Sequence, residues 1–353
     1  MSRHRSGYLV VLACLVCLVS VTLLAGTAAA TPAGGVDANT TAPNATFPVT
    51  LTDATGTNVT VETRPERVTT TNPSAAQTMW ALGAESQVVG VTGFAGYLDG
   101  AANRTNVSAN DAGVSPERVI DTEPDLVLAP NATPVETVET LRADGLTVYH
   151  FRGATDFEDV ADKTRIIGEL TGNTASAAET NDWMWENVAE VEASVNNTDR
   201  PQVLYPLLGG FAVGGDTFIN EIITTAGGEN VAASEFDGYR PLNAETVIDL
   251  DPEVLLVTDQ TEGQIVDSEP YSLTSAAETG RVATLEVSYL NQPAPRSVVY
   301  ATQNLSTQLR DGGAAAPADT ESTGVSAPGF GVGVAIAALL AVALVGRFSR
   351  RRQ

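Results

Sequence analysis

The sequence is poor in the residues on which several kinds of site depend. Its 353 residues include two cysteines, two histidines and 19 lysines and arginines, of which Lys163 is the single lysine. Against these stand 43 aspartates and glutamates, so the formal net charge is −24. This balance argues against a nucleic-acid-binding protein, which needs a basic footprint. Abundant acid with almost no lysine is typical of a protein kept soluble in concentrated salt, the alternative being an ordinary acidic secreted protein.

Both cysteines fall within a secretory signal predicted over residues 1–30. A basic start is followed by an apolar core from Tyr8 to Ala25 and a small-residue cleavage site that ends at Ala30. Cys14 closes a segment that resembles a lipoprotein cleavage box, but the apolar run continues well past it. Cleavage at residue 30 would leave no cysteine in the mature chain, which excludes disulfides, thiol catalysis and cysteine-ligated zinc.

The C-terminus carries a second targeting pattern. Residues 311–327 are rich in Gly, Ala, Pro, Ser and Thr and predict a flexible linker, and residues 328–353 combine an uncharged run with a terminal arginine cluster. The triplet Pro328-Gly329-Phe330 at the start of that run resembles the archaeal sorting signal named for it. The resemblance implies cleavage by an archaeosortase and attachment to a lipid. The alternative is a plain transmembrane tail anchor, and both place the protein on the extracellular face of the membrane.

Eight sequons agree with an extracellular surface. Chance would give about three at this content of serine and threonine, so N-glycosylation is favoured. The acceptors are Asn39, Asn44, Asn58, Asn103, Asn106, Asn131, Asn196 and Asn304.

Between the two ends, the hydrophobic pattern predicts an α/β fold with two Rossmann-like lobes. A polar, glycosylated tether (31–47) precedes an N-terminal lobe (48–172), which starts with a hairpin and continues as alternating strands and helices that indicate a parallel sheet. One uninterrupted helix, Thr174–Val195, dominates the interlobe segment 173–199. Strand–helix alternation then resumes in a C-terminal lobe (200–310), and a ligand cleft is expected between the lobes.

An internal repeat supports this architecture. Glu117-Arg-Val-Ile-Asp-Thr-Glu-Pro-Asp-Leu-Val-Leu recurs 128 residues later as Glu245-Thr-Val-Ile-Asp-Leu-Asp-Pro-Glu-Val-Leu-Leu. Each copy predicts a helix end, an acidic turn with proline and a buried strand. Two copies on either side of one long helix indicate two similar lobes.

Spaced motifs in both lobes resemble a known family. Asn72-Pro-Ser, Val88-Val-Gly-Val and Glu123-Pro-Asp-Leu-Val-Leu-Ala in the first lobe, with Gly227-Gly-Glu-Asn230 and Pro295-Arg296 in the second, are similar to the iron–siderophore and cobalamin solute-binding proteins of ABC importers. The resemblance covers about Pro48 to Arg310. It implies the helical-backbone fold, an ABC permease and its ATPase as partners, and a metal chelate as ligand. The alternative is a cell-surface sensor or adhesion protein that uses the same fold without transport.

The expected ligand site follows from the sheets, because ligands of open α/β sheets lie beyond the carboxyl ends of the strands. Loops predicted there hold aromatic side chains that could wall a large flat ligand and arginines that could attract an anionic one. Ordinary core packing for the aromatics and surface pairing for the arginines are the alternatives. The candidates are Asn72, Phe94, Tyr97, Arg152, Phe211, Tyr239, Arg240, Tyr289 and Arg296.

Neither a bare metal ion nor catalysis is expected. His150 is the only histidine outside the signal, so the metal should arrive already chelated, as a ferric siderophore, a corrinoid or haem, and no cofactor is bound permanently. No nucleophile elbow or phosphate-binding loop is present, and the glycine pairs near Gly210 and Gly215 predict a flexible cleft edge. Pro130 occupies the place where cobalamin binders carry a large aromatic, which favours a siderophore.

The family resemblance also implies two docking carboxylates. In the family, one surface carboxylate per lobe engages arginine on the permease. By position these fall on Glu136 and Glu245. The alternative for each is plain solvated charge.

Overall fold

The computed structural model of the protein describes residues 46–110 and 113–312. The predicted signal at residues 1–30, the sequons at Asn39 and Asn44 and the sorting triplet at 328–330 lie outside this range. Within it, the mixed α/β architecture with parallel sheets is confirmed.

The described chain begins with the predicted hairpin, whose antiparallel strands are β1 (Val49–Thr52) and β2 (Asn58–Val61). Its turn is fixed by Asp53, whose buried carboxylate accepts hydrogen bonds from the backbone of Thr55 and His150 and pairs with Arg142. The hairpin is thereby attached to the last strand of the N-terminal sheet.

The N-terminal lobe is a five-stranded parallel sheet of order β5-β4-β3-β6-β7. Its buried strands are short apolar runs, and asparagine, serine or aspartate caps three of its helices. The strands are β3 (Val68–Thr70), β4 (Val88–Val91), β5 (Thr105–Asn106), β6 (Leu126–Ala129) and β7 (Val148–His150). The helices are α1 (Pro73–Ala81), α2 (Pro116–Asp121), α3 (Val135–Ala143) and α4 (Phe157–Thr171).

One long helix, α5 (Thr174–Val195), links the lobes, with the bounds that the sequence predicts. Gly172, at φ +73°, ends α4 and turns the chain into α5. One face of α5 consists of buried residues, including Met184, Val188, Val191 and Val195. The helix packs against α4 and against the C-terminal helix Pro295–Arg310.

The C-terminal lobe contains a four-stranded parallel sheet of order β11-β8-β13-β14 and a three-stranded antiparallel sheet of order β12-β10-β9. The strands are β8 (Gln202–Leu204), β9 (Pro206–Leu207), β10 (Phe211–Val213), β11 (Glu229–Asn230), β12 (Tyr239–Pro241), β13 (Val254–Thr258) and β14 (Val282–Leu285). The helices are α6 (Phe218–Thr225), α7 (Ala244–Leu250), α8 (Glu262–Ile265), α9 (Ser275–Thr279), α10 (Val287–Leu290) and α11 (Pro295–Arg310).

The prediction of a flexible edge near Gly210 and Gly215 is wrong for the second glycine pair. Gly214 and Gly215 are buried, and Gly215 exchanges backbone hydrogen bonds of 2.9 and 2.7 Å with Phe236 and Gly238. A Cβ on Gly214 would lie 2.1 Å from the Phe236 carbonyl oxygen. These glycines are therefore required for close packing rather than for flexibility.

The internal repeat is structural. In both copies a short helix leads through an acidic residue at positive φ, Glu123 (+45°) or Asp251 (+39°), into a central strand. The acid after the proline accepts backbone hydrogen bonds of 2.9 Å at the first strand of its own sheet: Asp125 from Arg67, and Glu253 from Gln202. The two lobes thus share one local architecture.

Candidate ligand cleft

The predicted ligand residues lie on loops, strands and the first turns of helices at the carboxyl ends of the two parallel sheets. Those of the N-terminal lobe follow β3, β4 and β7, and those of the C-terminal lobe lie in the antiparallel sheet and after β14. Phe94 is 46% exposed in the short 3-10 helix Gly93–Ala95, and Asn72 accepts the backbone N–H of Ser74 (2.9 Å) as the N-cap of α1.

Two tyrosines join the lobes at this edge. The rings of Tyr97 and Tyr289 have centroids 5.8 Å apart and planes at 72°, an edge-to-face contact between an N-terminal loop and α10. The Tyr97 hydroxyl accepts a 2.7 Å hydrogen bond from Gln77, and burial raises the pKa of this hydroxyl well above its usual value. Both tyrosines are half-buried, so each is still partly accessible to solvent.

Behind the tyrosine pair, polar groups fasten α1 to the start of α11. The side-chain oxygen of Gln77, a fully buried residue, accepts from the backbone N–H (3.0 Å) and the hydroxyl (3.1 Å) of Ser297. The predicted ligand residue Arg296 donates to the Trp80 carbonyl at 3.1 Å. One of its donors is therefore committed to holding the lobes together.

The antiparallel sheet separates two adjacent candidates. In β12, Tyr239 pairs with Val213 and Arg240 with Ala212, so their side chains point to opposite faces. Tyr239 packs on the lobe core, and burial raises its pKa to about 12, whereas Arg240 is exposed. Phe211 is half-buried on β10.

Arg152 has acidic partners on its own lobe. Its guanidinium lies 2.5 Å from the carboxylate of Asp159 and 3.4 Å from that of Asp162, and its side chain is 67% exposed. The positive charge predicted for the cleft is therefore partly compensated at this position.

Two ionisable groups between the lobes were not among the predicted site residues. Lys163 of α4 is buried and donates to the Pro293 carbonyl, and burial lowers its pKa to about 7. Glu221 of α6 accepts the Phe157 backbone N–H at 2.7 Å, and burial raises its pKa to about 7. The presence of only one lysine in the chain was a signal for the first, but nothing in the sequence distinguished Glu221.

The repeat relates Glu245 to an exposed carboxylate that the sequence prediction did not single out. Glu136 and Glu245 are exposed in the first turns of α3 and α7. The counterpart of Glu245 in the repeat is Glu117, which is exposed in the first turn of α2. A hydrogen bond from the Ser115 hydroxyl (2.8 Å) lowers the pKa of Glu117 and favours the charged form.

His150 is the end residue of β7, and burial lowers its pKa. Its backbone N–H donates to Asp53, and its side-chain Nδ1 is buried without a hydrogen-bond partner. Among residues 46–110 and 113–312, no group of three or more His, Cys, Asp or Glu residues could hold a metal ion. In the same ranges, no helix is both long and apolar enough to cross a membrane.

The sequon asparagines that fall in the described ranges are all exposed: Asn58, Asn103, Asn106, Asn131, Asn196 and Asn304. Asn304 differs in setting, because it lies inside α11 and the hydroxyl residue of its sequon, Ser306, is 1% exposed.

Three comparisons with known proteins agree with this geometry. Residues 68–289 match the family model described as periplasmic binding protein. A cobalamin-binding protein of Halobacterium salinarum is 39% identical over 98% of this chain and 100% of its own length. A vitamin B12-binding protein of Vibrio parahaemolyticus is 27% identical over 66% of this chain and 86% of its own length.

A solved structure shows the same fold. The periplasmic heme-binding protein RhuT from Roseiflexus sp. RS-1, in its apo form, matches with a TM-score of 0.63 and 26% identity over 69% of this chain and 98% of its own. Members of the matched family are ligand carriers rather than enzymes, in keeping with the lack of a catalytic motif. The chain therefore belongs to the periplasmic binding protein family.

Proposed function

We propose that this protein is the extracellular substrate-binding component of an ABC importer and that its ligand is cobalamin. The observation that carries the proposal is the 39% identity, over essentially the whole chain, to a protein named as cobalamin-binding. The partners are then an ABC permease and its ATPase. The sensor or adhesion alternative has no observation in its favour.

The aromatic side chains of the cleft suit a large, flat ligand whose metal is already chelated. Tyr97 and Tyr289 bring aromatic surface from both lobes to one place, and Phe94 offers an exposed ring on the loop before Tyr97. The tyrosine hydroxyl of Tyr97 is engaged by Gln77 and held neutral by burial, which disfavours its use as a phenolate ligand to iron. A corrinoid brings its own metal ligands and needs none from the protein.

On the sequence alone, Pro130 favours a siderophore as the ligand, whereas the similarity to cobalamin-binding relatives favours cobalamin. The residue is buried at the end of β6, and its carbonyl accepts the Thr133 N–H at 2.8 Å. It thus shapes the backbone of the loop, while the aromatic surface comes from other loops. Ferric siderophores and haem remain the competing ligands to be tested.

The test is a titration of tryptophan fluorescence in high salt with cyanocobalamin, ferric siderophores and haem. Trp183 connects to the cleft through Tyr300 and Tyr289, with centroid separations of 6.4 and 5.0 Å, so ligand at Tyr289 should change the emission. We expect saturable binding of cyanocobalamin alone. Tight binding of a siderophore or haem instead would refute the ligand, and binding of none would refute the class.

A matched pair of variants locates the site. Phe94 and Leu273 are both about half exposed, but only Phe94 lies on a predicted cleft loop. Phe94→Ala should weaken cobalamin binding about tenfold, the worth of one aromatic contact with its buried area. Leu273→Ala should leave cobalamin binding unchanged. Equal effects would show that the ligand lies elsewhere.

Docking on the permease is proposed for Glu117 and Glu245, the pair related by the repeat. Reversal of both to lysine should abolish cobalamin uptake while cobalamin affinity stays unchanged. The single reversals Glu117→Lys and Glu136→Lys separate the two assignments, because Glu245 belongs to both. Uptake lost in the Glu136→Lys single variant and kept in Glu117→Lys would reverse the assignment.

Secretion, glycosylation and lipid anchoring complete the proposal. Protein extracted from membranes should lack residues 1–30, end near Pro328 with a lipid attached by an archaeosortase, and carry glycan at exposed sequons. Intact mass and peptide mapping test all three. Retention of residues 328–353 would indicate a tail anchor instead.

A further inference from the structure

The C-terminal lobe has a polar cavity at the end of its parallel sheet that faces away from the ligand cleft. The cavity has a volume of about 660 Å³ and is lined in part by Gln202 and Glu229, the first residues of β8 and of the edge strand β11. The amino ends of parallel strands lie opposite their carboxyl ends, where the ligand site of an open α/β sheet is expected. The cavity is therefore separate from the cobalamin site proposed above.

The lining of this cavity can both donate and accept hydrogen bonds. It includes a guanidinium, two carboxylates, amides and a hydroxyl: Arg200, Asn220, Glu229, Asn230, Ser234 and Asp249. The side chains of Arg200, Glu229 and Asp249 form no ion pair or hydrogen bond with any residue of 46–110 or 113–312, and all three are exposed. Sugar hydroxyls donate and accept, so a saccharide can pair with every one of these groups, whereas two carboxylates disfavour a simple anion.

One acceptor in the lining lacks a donor. Asn230 is 4% exposed, and its amide nitrogen donates to the Val213 carbonyl (3.1 Å) and to Asn220 Oδ1 (3.1 Å). Its own Oδ1 is buried and accepts no hydrogen bond from the part of the chain that the structure describes. Buried side-chain acceptors nearly always have a partner, and a ligand hydroxyl is the kind of donor that this one lacks.

A sequon lies beside the cavity. Asn196 is exposed directly after α5, and the hydroxyl and N–H of Thr198 in its sequon both donate to the Val195 carbonyl, at 3.0 and 3.2 Å. Val195 packs against the turn before β11, since a Cβ on Gly227 would lie 3.0 Å from the Val195 Cβ. Arg200 follows Asn196 by four residues, so their Cα atoms are at most about 14 Å apart. A glycan on Asn196 therefore starts within reach of the cavity.

We infer that this cavity binds carbohydrate, supplied either by the glycan on Asn196 or by a free saccharide. The first source rests on the glycosylation proposed above, and the second does not. A guanidinium can donate to two neighbouring hydroxyl oxygens and a carboxylate can accept from two hydroxyl groups, so Arg200 and Glu229 suit the adjacent hydroxyls of a sugar ring. A glycan bound in this way is held against the lobe instead of extending into solvent.

The first test compares melting temperatures of full-length protein extracted from membranes, at constant salt. Asn196→Gln removes the glycan and should lower the melting temperature by about 3 °C, the shift that one or two hydrogen bonds produce in a chain of this size. In the background Arg200→Ala/Glu229→Ala, which changes only exposed side chains, the same substitution should shift it by less than about 1 °C. The matched control Asn58→Gln, on the hairpin, should give equal shifts in both backgrounds.

The second test looks for a free saccharide by saturation-transfer NMR on the Asn196→Gln protein. The probes are the methyl glycosides of glucose, galactose, mannose and N-acetylglucosamine, with spermidine as an organic cation for comparison. A glycoside that occupies the cavity should give a signal that is lost in the Asn196→Gln protein when Arg200→Ala/Glu229→Ala is added.

The outcomes distinguish the two sources. An Asn196→Gln shift that disappears in the double-alanine background supports the attached glycan, and a glycoside signal that the double-alanine change abolishes supports a free saccharide. No shift, or a shift of equal size in both backgrounds, together with no glycoside signal, would refute the carbohydrate site, as would a signal from spermidine alone. The cyanocobalamin titration is independent of these measurements, so failure of this site leaves the transport function untouched.

Discussion

Replacement of Lys163 by methionine should change the stability of the protein with a sign that depends on pH. The ammonium group lies buried between the lobes, donates to the Pro293 carbonyl and faces Asp159 one turn earlier on α4. Burial lowers its pKa from 10.5 to about 7. Between these values the unfolded chain binds the proton and the folded chain does not, so wild-type stability rises with pH across this window.

The magnitude follows from that window. Roughly three pH units at about 1.4 kcal/mol each give a penalty on the order of 4 kcal/mol for the charged form at and below pH 7. Methionine removes this penalty but leaves the Pro293 carbonyl without its donor, which costs about 1–3 kcal/mol. Lys163→Met should therefore be more stable than the wild type at pH 7 by about 1–3 kcal/mol and less stable by a similar amount at pH 10.

Urea unfolding followed by tryptophan fluorescence at pH 7, 8, 9 and 10, with constant salt, measures this difference. The control is Arg165→Met on the same helix, which removes an exposed cation paired with Asp162 and Glu169. Its difference from the wild type should not vary with pH in this range. A Lys163→Met difference that is equally independent of pH would show that the lysine is not held neutral, and the reasoning would fail.

Three further predictions concern other buried polar groups. Asp53→Ala leaves the partly buried Arg142 without its carboxylate and should lower the free energy of unfolding by about 3 kcal/mol in urea. Burial raises the pKa of Glu221 to about 7, so the protein should lose stability as pH rises from 4.5 towards 7. Glu221→Gln should flatten the dependence of the melting temperature on pH over this range, because its amide oxygen can still accept the Phe157 N–H. Gln77→Ala removes the amide that joins α1 to α11 and should weaken cyanocobalamin binding in the fluorescence titration.

Much of the scaffold could be predicted from the sequence because its pattern is local. The helix Thr174–Val195 is uninterrupted by glycine or proline, and both of its bounds match the structure. The buried strands Leu126–Ala129 and Val254–Thr258 are apolar runs that follow an acidic turn with proline, so the repeat located both. Capping side chains mark the starts of α1, α4 and α6, namely Asn72, Asp156 and Thr217.

What could not be predicted depends on contacts between distant segments. The strands of the antiparallel sheet have only two or three residues, which is too short to show an alternating hydrophobic pattern in the sequence. The pairing of Phe211 with Pro241 arises only in the folded lobe. The last strand, β14, takes its bounds from pairing with β13, in which Leu255 to Thr258 lie opposite Val282 to Leu285. Similarly, the burial of Lys163 depends on a carbonyl 130 residues away.

The attachment of α1 to the start of α11 affects how empty and loaded protein compete for the permease. Gln77 is bonded to Ser297 and Arg296 to the Trp80 carbonyl, so we expect the distance between the two proposed docking faces to change little when ligand binds. A permease that binds these faces would then have no large conformational change by which to distinguish an empty carrier from a loaded one. A ligand shifts a conformational equilibrium only when it binds the two conformations with different affinity. We expect empty carriers to compete with loaded ones for the permease, so that a cell with too many copies of this protein imports more slowly when the ligand is scarce.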